Sequence, residues 1–171
     1  LLTDLVEVFN RQGLIAKALL AGSEDEILAF NTRKVWRQME SIARRRVYEQ
    51  ISDIVTVMDG DDFYVADEVI DRIIELDARE GPLDISIGKG AWIGPDVQLG
   101  ARVRVGDRCR LEGSVVLEEG VTLGPDVVVT GSPEYPAHIG RDARVTDSWL
   151  VECRVETGVT IAHSTIERRL V

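Results

Sequence analysis

The sequence holds only two cysteines, Cys109 and Cys153, and two histidines, His138 and His163, in 171 residues. Two cysteines cannot build a disulfide framework or a cysteine zinc site, so a reducing cytoplasm is the expected setting. Basic residues are in deficit: 20 Lys and Arg stand against 30 Asp and Glu, a formal net charge of −10. Such a chain is poorly matched to a phosphate backbone, and nucleic acid is not an expected partner. No apolar run reaches the roughly 20 residues that cross a bilayer, and no basic, apolar, small-residue leader opens the chain. A membrane is therefore not an expected partner either. The chain lacks an initiating Met, and Leu1 opens directly into amphipathic sequence, which suggests a piece of something longer. It also lacks H-x-x-x-H, C-x-x-C, G-x-S-x-G, G-x-G-x-x-G and P-loop motifs, so the commonest nucleophile, metal and phosphate-cradle signatures are excluded. With 44% hydrophobic residues, the composition supports a globular core.

The composition changes at Gly81-Pro82. Glycine is rare before that point and recurs every few residues after it. Residues 1–82 carry 17 acidic against 10 basic groups and residues 83–171 carry 13 against 10, so neither half is basic. In the first half, Leu2, Leu5, Val6 and Phe9 have helical spacing, stopped by Gly13. Leu14–Ala21 has the length of a strand, with a buried helix as the alternative. Ser23 and Glu26 have capping-box spacing. Asn31 or Thr32 is placed to cap a helix over about Arg33–Ile51, with Val35, Trp36, Met39, Ile42, Ala43 and Val47 as its buried stripe. A further helix over about Val65–Arg79 would bury Val69, Ile70, Ile73, Ile74 and Leu76, and Gly81-Pro82 ends it.

The second half has a strict period of six. Ile87, Ile93, Leu99, Val105, Leu111, Leu117 and Leu123 are each six apart. The next place is glycine at 88, 94, 100, 106 and 124, and the fifth place is Ala91, Val97, Val103, Cys109, Val115, Val121 or Val127. This is the hexapeptide pattern, and it resembles the left-handed parallel β-helix family, in which three hexads make one triangular coil. The stacking period is then 18 residues. Ile87, Val105 and Leu123 fall in one interior column, and Ala91, Cys109 and Val127 in another. The glycines suit tight corners. The register breaks over Thr130–His138, resumes at Ile139 and Val145, and continues less regularly through Leu150, Val155, Ile161 and Ile166. The array reaches Val171 without a polar cap, so truncation or a covering element is expected there. The expected fold is α+β: an N-terminal helical segment joined to a left-handed parallel β-helix of about four coils. Its expected parts are residues 1–52, a linker with a helix over 53–82, and the β-helix over 83–171 with a loop insertion at 130–138.

Several residues are candidates for chemistry. In the hexapeptide acyltransferases that such a β-helix resembles, a histidine often serves as general base beside a cleft that accepts an acyl thioester. His138, at the end of the inserted loop, and His163, inside a coil, are the two residues available for that role with acyl-CoA as co-substrate; the alternative is a pair of surface histidines. Arg102, Arg104, Arg108 and Arg110 look like an anion patch, but the 18-residue register sets Asp126 beside Arg108, and a solvated, partly paired face is the favoured reading, as it is for Arg44-Arg45-Arg46. Arg44-Arg45-Arg46 has Glu40 and Glu49 nearby. Asp59-Gly60-Asp61-Asp62 reads as a solvated turn, since it lacks the spaced ligands of a calcium loop.

The first half resembles the end of a nucleotidyltransferase domain. Leu2-Thr3-Asp4-Leu5-Val6-Glu7-Val8 looks like that family's "LTD" helix, and Glu26–Arg33 resembles its G-V-N-[NDT]-R segment, with Ala29 and Phe30 in place of Gly and Val. With the β-helix behind it, the order resembles the sugar-1-phosphate nucleotidyltransferases, most of all the bifunctional uridylyltransferase and acetyltransferase branch. The resemblance implies a parent enzyme that condenses a nucleoside triphosphate with a sugar-1-phosphate. In it, Asn31 would help hold Mg²⁺, or cap the following helix instead. The glycine-rich nucleotide loop, the Asp that shares the Mg²⁺, and the R-P-G and N-Y-D-G segments of the acetyltransferases are absent from these residues. A non-catalytic trimerisation scaffold is a third reading. The resemblance also implies a homotrimer, and the outward-facing column of Trp92, Arg110 and Val128 is the expected contact.

Overall fold

The computed structural model describes residues 4–15, 17, 19–22 and 32–168, and the chain divides into two compact units, 1–39 and 40–171. In the first unit, α1 (Asp4–Arg11) forms where the helical spacing predicts it, and the chain leaves it through Gly13 at φ +76. Its apolar residues are exposed, Leu5, Val6 and Phe9 among them. The described residues of Leu14–Ala21 form neither strand nor helix, and Leu19 and Leu20 are fully open to solvent. The Ser23–Glu26 capping box lies outside the described residues. Helix α2 (Arg33–Ile51) starts at a cap made by Thr32, whose Oγ1 accepts the Val35 N–H at 3.3 Å. The expected buried stripe does not form. Trp36 and Ala43 are exposed, Val35, Met39, Ile42 and Val47 are half-buried, and only Ile51 is fully buried.

The second unit is built on three parallel sheets wound into a left-handed β-helix. One sheet is ordered β1 (Val55–Val57), β3 (Ile85–Ile87), β6 (Arg104–Val105), β9 (Thr122–Leu123), β12 (Arg144–Thr146) and β15 (Thr160–Ala162). The second runs β2 (Tyr64–Val65), β4 (Trp92–Ile93), β7 (Arg110–Gly113), β10 (Val128–Gly131), β13 (Trp149–Val151) and β16 (Thr165–Glu167). The third has four strands, β5 (Val97–Leu99), β8 (Val115–Leu117), β11 (Ala137–Ile139) and β14 (Arg154–Val155). Ile87 pairs with Val105 and Val105 with Leu123, the column that the 18-residue period predicts. Ala91, Cys109 and Val127 are all buried, as expected.

The stack has more coils than the four expected. The sequence Val55-Thr56-Val57 pairs with Ile85-Ser86-Ile87, and Tyr64-Val65 with Trp92-Ile93, so the coils begin before the glycine column does. Helix α3 (Asp67–Glu80) follows β2, where a strand of the third sheet would stand in chain order, and packs against β5. It buries Val69, Ile70 and Ile73, while Leu76 is half-buried and Ile74 exposed. Gly81, at φ +82, ends it by donating its N–H to the Asp77 carbonyl.

The glycines of the hexads do a different job from the one expected. Gly88 and Gly106 have ordinary φ angles, but a Cβ on Gly88 would lie 2.5 Å from the Asp107 backbone, and one on Gly106 2.6 Å from the Gly124 carbonyl carbon. They permit close approach of one coil to the next. The left-handed corners fall two residues later, and L-residues fill several of them: Arg102, Arg108, Asp126 and Asp142 have φ between +55 and +58. After the inserted loop the corners lose a residue, and Trp149 pairs with Thr165 at a spacing of 16 rather than 18. The interior positions Ile139, Val145, Leu150, Val155 and Ile161 remain buried through this change. Among the described residues, no helix is long and apolar enough to cross a membrane.

Candidate functional site

His138 sits on β11 in an outward column with Gln98, Val116 and Arg154. Its Nε2 lies 3.2 Å from Glu118 Oε1, and the other oxygen of Glu118 accepts the Arg141 N–H at 2.8 Å. Its Nδ1 is buried with no hydrogen-bond partner among the described residues. The loop before it is pinned by Glu152, which accepts from Ser132 Oγ at 2.8 Å and from Arg168 Nε at 2.6 Å. These two donors hold the Glu152 carboxyl below its ordinary range. The Arg168 guanidinium covers the Tyr135 ring at 5.4 Å. A groove of about 540 Å³ lies between α3 and the third sheet, with Arg72, Leu76, Gln98, Val116 and Glu118 in its walls. His138 does not line this groove, and its neighbours Val116 and Glu118 do. The loop is thus tied to the last coil through Glu152 and Arg168.

His163 occupies a left-handed corner at φ +48. Its Nδ1 lies 2.7 Å from Asp147 Oδ2, and its side chain is 78% exposed. Behind it, Ser148 Oγ donates to the Thr146 carbonyl at 2.7 Å and accepts the Ser164 N–H at 3.0 Å, which fixes the corner. A shallow pocket of about 410 Å³ is lined here by Asp126, Val128, Asp147, Trp149, His163 and Thr165. A carboxylate on Nδ1 selects the tautomer with its proton on that nitrogen and leaves Nε2 as an acceptor toward solvent. His163 lines this pocket and His138 does not. Asp147 and Trp149 escape sequence reasoning because an 18-residue register does not bring residues 147 and 163 together; the shortened corners do. The signal for them was the drop from spacings of six to spacings of five.

The arginine cluster is not an anion patch. Arg102 pairs with Glu119 at 2.7 Å, Arg104 with Asp84 at 3.2 Å, Arg108 with Asp126 at 2.6 Å and Arg110 with Glu112 at 2.5 Å. The Asp126 carboxyl is held below its ordinary range by Arg108. Asp59 accepts the Asp61 N–H at 3.0 Å and meets Lys89 Nζ at 3.0 Å, as a solvated turn would. No group of three or more His, Cys, Asp or Glu side chains among the described residues is placed to hold a metal ion. Asn31 lies outside the described residues. Cys109 is buried with its thiol against the Gly124 carbonyl at 2.9 Å, and burial pushes its pKa up to about 11.

Residues 84–119 match the family described as Bacterial transferase hexapeptide (six repeats), in agreement with the coils observed there. Over 161 residues, 94% of this chain, it is 23% identical to the Bifunctional protein GlmU of Carboxydothermus hydrogenoformans, of which it covers 29%. It is 26% identical over the same length to the Bifunctional protein GlmU of Streptococcus agalactiae serotype V, of which it covers 28%. The similarity runs through nearly all of the chain, which spans less than a third of the length of these curated relatives.

Proposed function

We propose that this chain is the part of a sugar-1-phosphate nucleotidyltransferase in which the end of the nucleotidyltransferase domain passes into a β-helix, and that the β-helix serves assembly. In the whole enzyme a phosphate oxygen of the sugar-1-phosphate bonds to the α-phosphorus of a nucleoside triphosphate, and pyrophosphate leaves. Mg²⁺ would neutralise charge there, with the Asn31 amide among its ligands. This reading places the protein in the cytoplasm, where such substrates occur and where Cys109 and Cys153 stay as free thiols.

The observation that carries the assembly role is the outward column Tyr64, Trp92, Arg110, Val128 and Trp149 on the second sheet. Aromatic and apolar groups with one arginine stand in one ladder there, the composition of an interface core. The proposed assembly is a homotrimer whose contact includes Trp92 and Val128. Sedimentation velocity tests it: a trimer is expected for the wild type and dissociation for Trp92→Glu. A monomeric wild type, or a variant that still forms full trimer, refutes the assignment.

One observation favours a second reading, acyl transfer. The His163–Asp147 contact is the arrangement of a general base held in one tautomer. His163 Nε2 would take the proton of an amine or hydroxyl as that group attacks the thioester carbonyl of acyl-CoA and the coenzyme leaves as its thiol. Acetyl-CoA consumption lost in His163→Ala and kept in His138→Ala supports it. Absence of both nucleotidyl and acyl transfer in the whole protein leaves the scaffold role alone.

A further inference from the structure

We propose that the pocket at Trp149 is a receptor for a guanidinium group, with the indole as its stacking face and Asp147 as its counter-ion. The same molecule contains the template. In the outward column of the second sheet, the Trp92 ring is stacked on Tyr64 with centroids 5.2 Å apart, and the Arg110 guanidinium lies 5.0 Å from the Trp92 ring centroid. Arg110 is itself held by Glu112, with Nε to Oε1 at 2.6 Å. The unit there is indole, guanidinium and carboxylate. Three coils beyond Trp92, Trp149 presents an indole in the same column, 55% exposed, between Val128 and Thr165. Among the described residues no ring stacks on Trp149 and no cation covers it.

The groups around the Trp149 indole select the missing partner. Asp126 is spent, since its two oxygens accept from Arg108 Nε and Nη2 at 2.7 and 2.6 Å. Asp147 is engaged through Oδ2 alone, by His163, and its side chain is 67% exposed, so Oδ1 remains to accept. Ser148 and Ser164 have already given their hydroxyl protons to the carbonyls of Thr146 and Ala162. The pocket therefore offers acceptors and a π face but no unpaired arginine or lysine. An anion meets two carboxylates there. A guanidinium, which is flat and carries five donors and no acceptor, matches each feature. Its source is either a small alkylguanidine or the arginine side chain of a second copy. The inference shares Val128 and Trp149 with the column proposed for assembly and Asp147 with the acyl-transfer reading, but it needs neither Trp92 at a contact nor a proton moved by His163.

The test uses agmatine as the probe, added to the whole chain at low ionic strength. The chain has three indole N–H signals, from Trp36, Trp92 and Trp149. A saturable shift of the signal that Trp149→Phe removes is expected, at roughly millimolar agmatine as befits an exposed cation–π site. Asp147→Asn should weaken binding about fivefold. N-butylurea, flat but uncharged, should leave the signal in place. If an arginine of a second copy already fills the pocket, agmatine instead lowers the sedimentation coefficient, and Trp149→Phe lowers it without agmatine. The proposal is overturned if agmatine moves neither the Trp149 signal nor the sedimentation coefficient, if N-butylurea acts equally, or if Asp147→Asn binds as well as the wild type.

Discussion

Replacing Gly106 by Ala should destabilise the β-helix more than the same change at Gly158, although Gly158 has the unusual backbone. Gly158 sits at φ +72 with nothing within 4 Å of an added Cβ, so its cost is the left-handed conformation alone, about 1–2 kcal/mol. Gly106 has an ordinary φ, but its Cβ would lie 2.6 Å from the Gly124 carbonyl carbon and 2.7 Å from two carbonyl oxygens, those of Gly124 and Leu123. Relief to an ordinary contact requires a movement of roughly 0.8 Å. All of the clashing atoms are backbone. The strand ladder fixes them on both sides: Gly106 N–H donates to Leu123 at 2.9 Å and Gly124 N–H to Val145 at 2.7 Å. A rigid neighbour puts the cost at the upper end of overpacking, about 3 kcal/mol. At roughly 2–4 °C per kcal/mol for a chain of this size, the melting midpoint should fall by about 6–12 °C. Urea titrations of the two variants, followed by circular dichroism, measure the difference. A Gly106→Ala variant as stable as the wild type, or more stable than Gly158→Ala, would refute the view that these glycines serve coil approach.

Two further changes test the interior. Leu111 is fully buried between Ile93 and Val129 in one column, so Leu111→Asp places an unpaired carboxylate in an apolar stack and should unfold the β-helix; an unchanged melting temperature would defeat the register. Burial holds the Cys109 thiol protonated up to about pH 11, so it should resist alkylation in the folded protein at pH 9 and react once urea unfolds it; reaction at the rate of a free thiol without urea contradicts the packing. The same burial fixes a pH dependence. The unfolded thiol ionises near pH 9 and the folded one does not, so the unfolded state loses protons first, and stability should fall as pH rises from about 9 to about 11.

The core of this fold was legible because a hexad puts the same side chain at the same place on every coil. Ile87, Val105 and Leu123 could be stacked on paper, and the Arg108–Asp126 pair followed from the same arithmetic. Pairing at the first coil was not legible. Val55–Val57 and Tyr64–Val65 have strand-forming side chains but carry no glycine column, since Met58 and Ala66 follow them, and α3 interrupts the chain between β2 and β3. The stripe expected on α2 failed for another reason: helical spacing states which residues share a face, but only Ile51, at the end of the helix, is fully buried. The candidate site shows the most consequential gap. Spacings of five were visible at Leu150, Val155 and Ile166, and each shortens a corner by one residue. That shortening changes the stacking interval from 18 to 16, brings Asp147 beside His163 and sets Thr165 on Trp149, while the inserted loop lengthens the interval before it and sets Trp149 on Val128. The regular 18-residue coils set Arg110 beside Trp92 and Asp126 beside Arg108. The irregular coils break that pattern, and they are where an indole, a carboxylate oxygen and an imidazole nitrogen are left facing solvent. In a solenoid whose regular coils pair Arg102, Arg104, Arg108 and Arg110 with carboxylates, the departures from the repeat are where binding chemistry has room to occur.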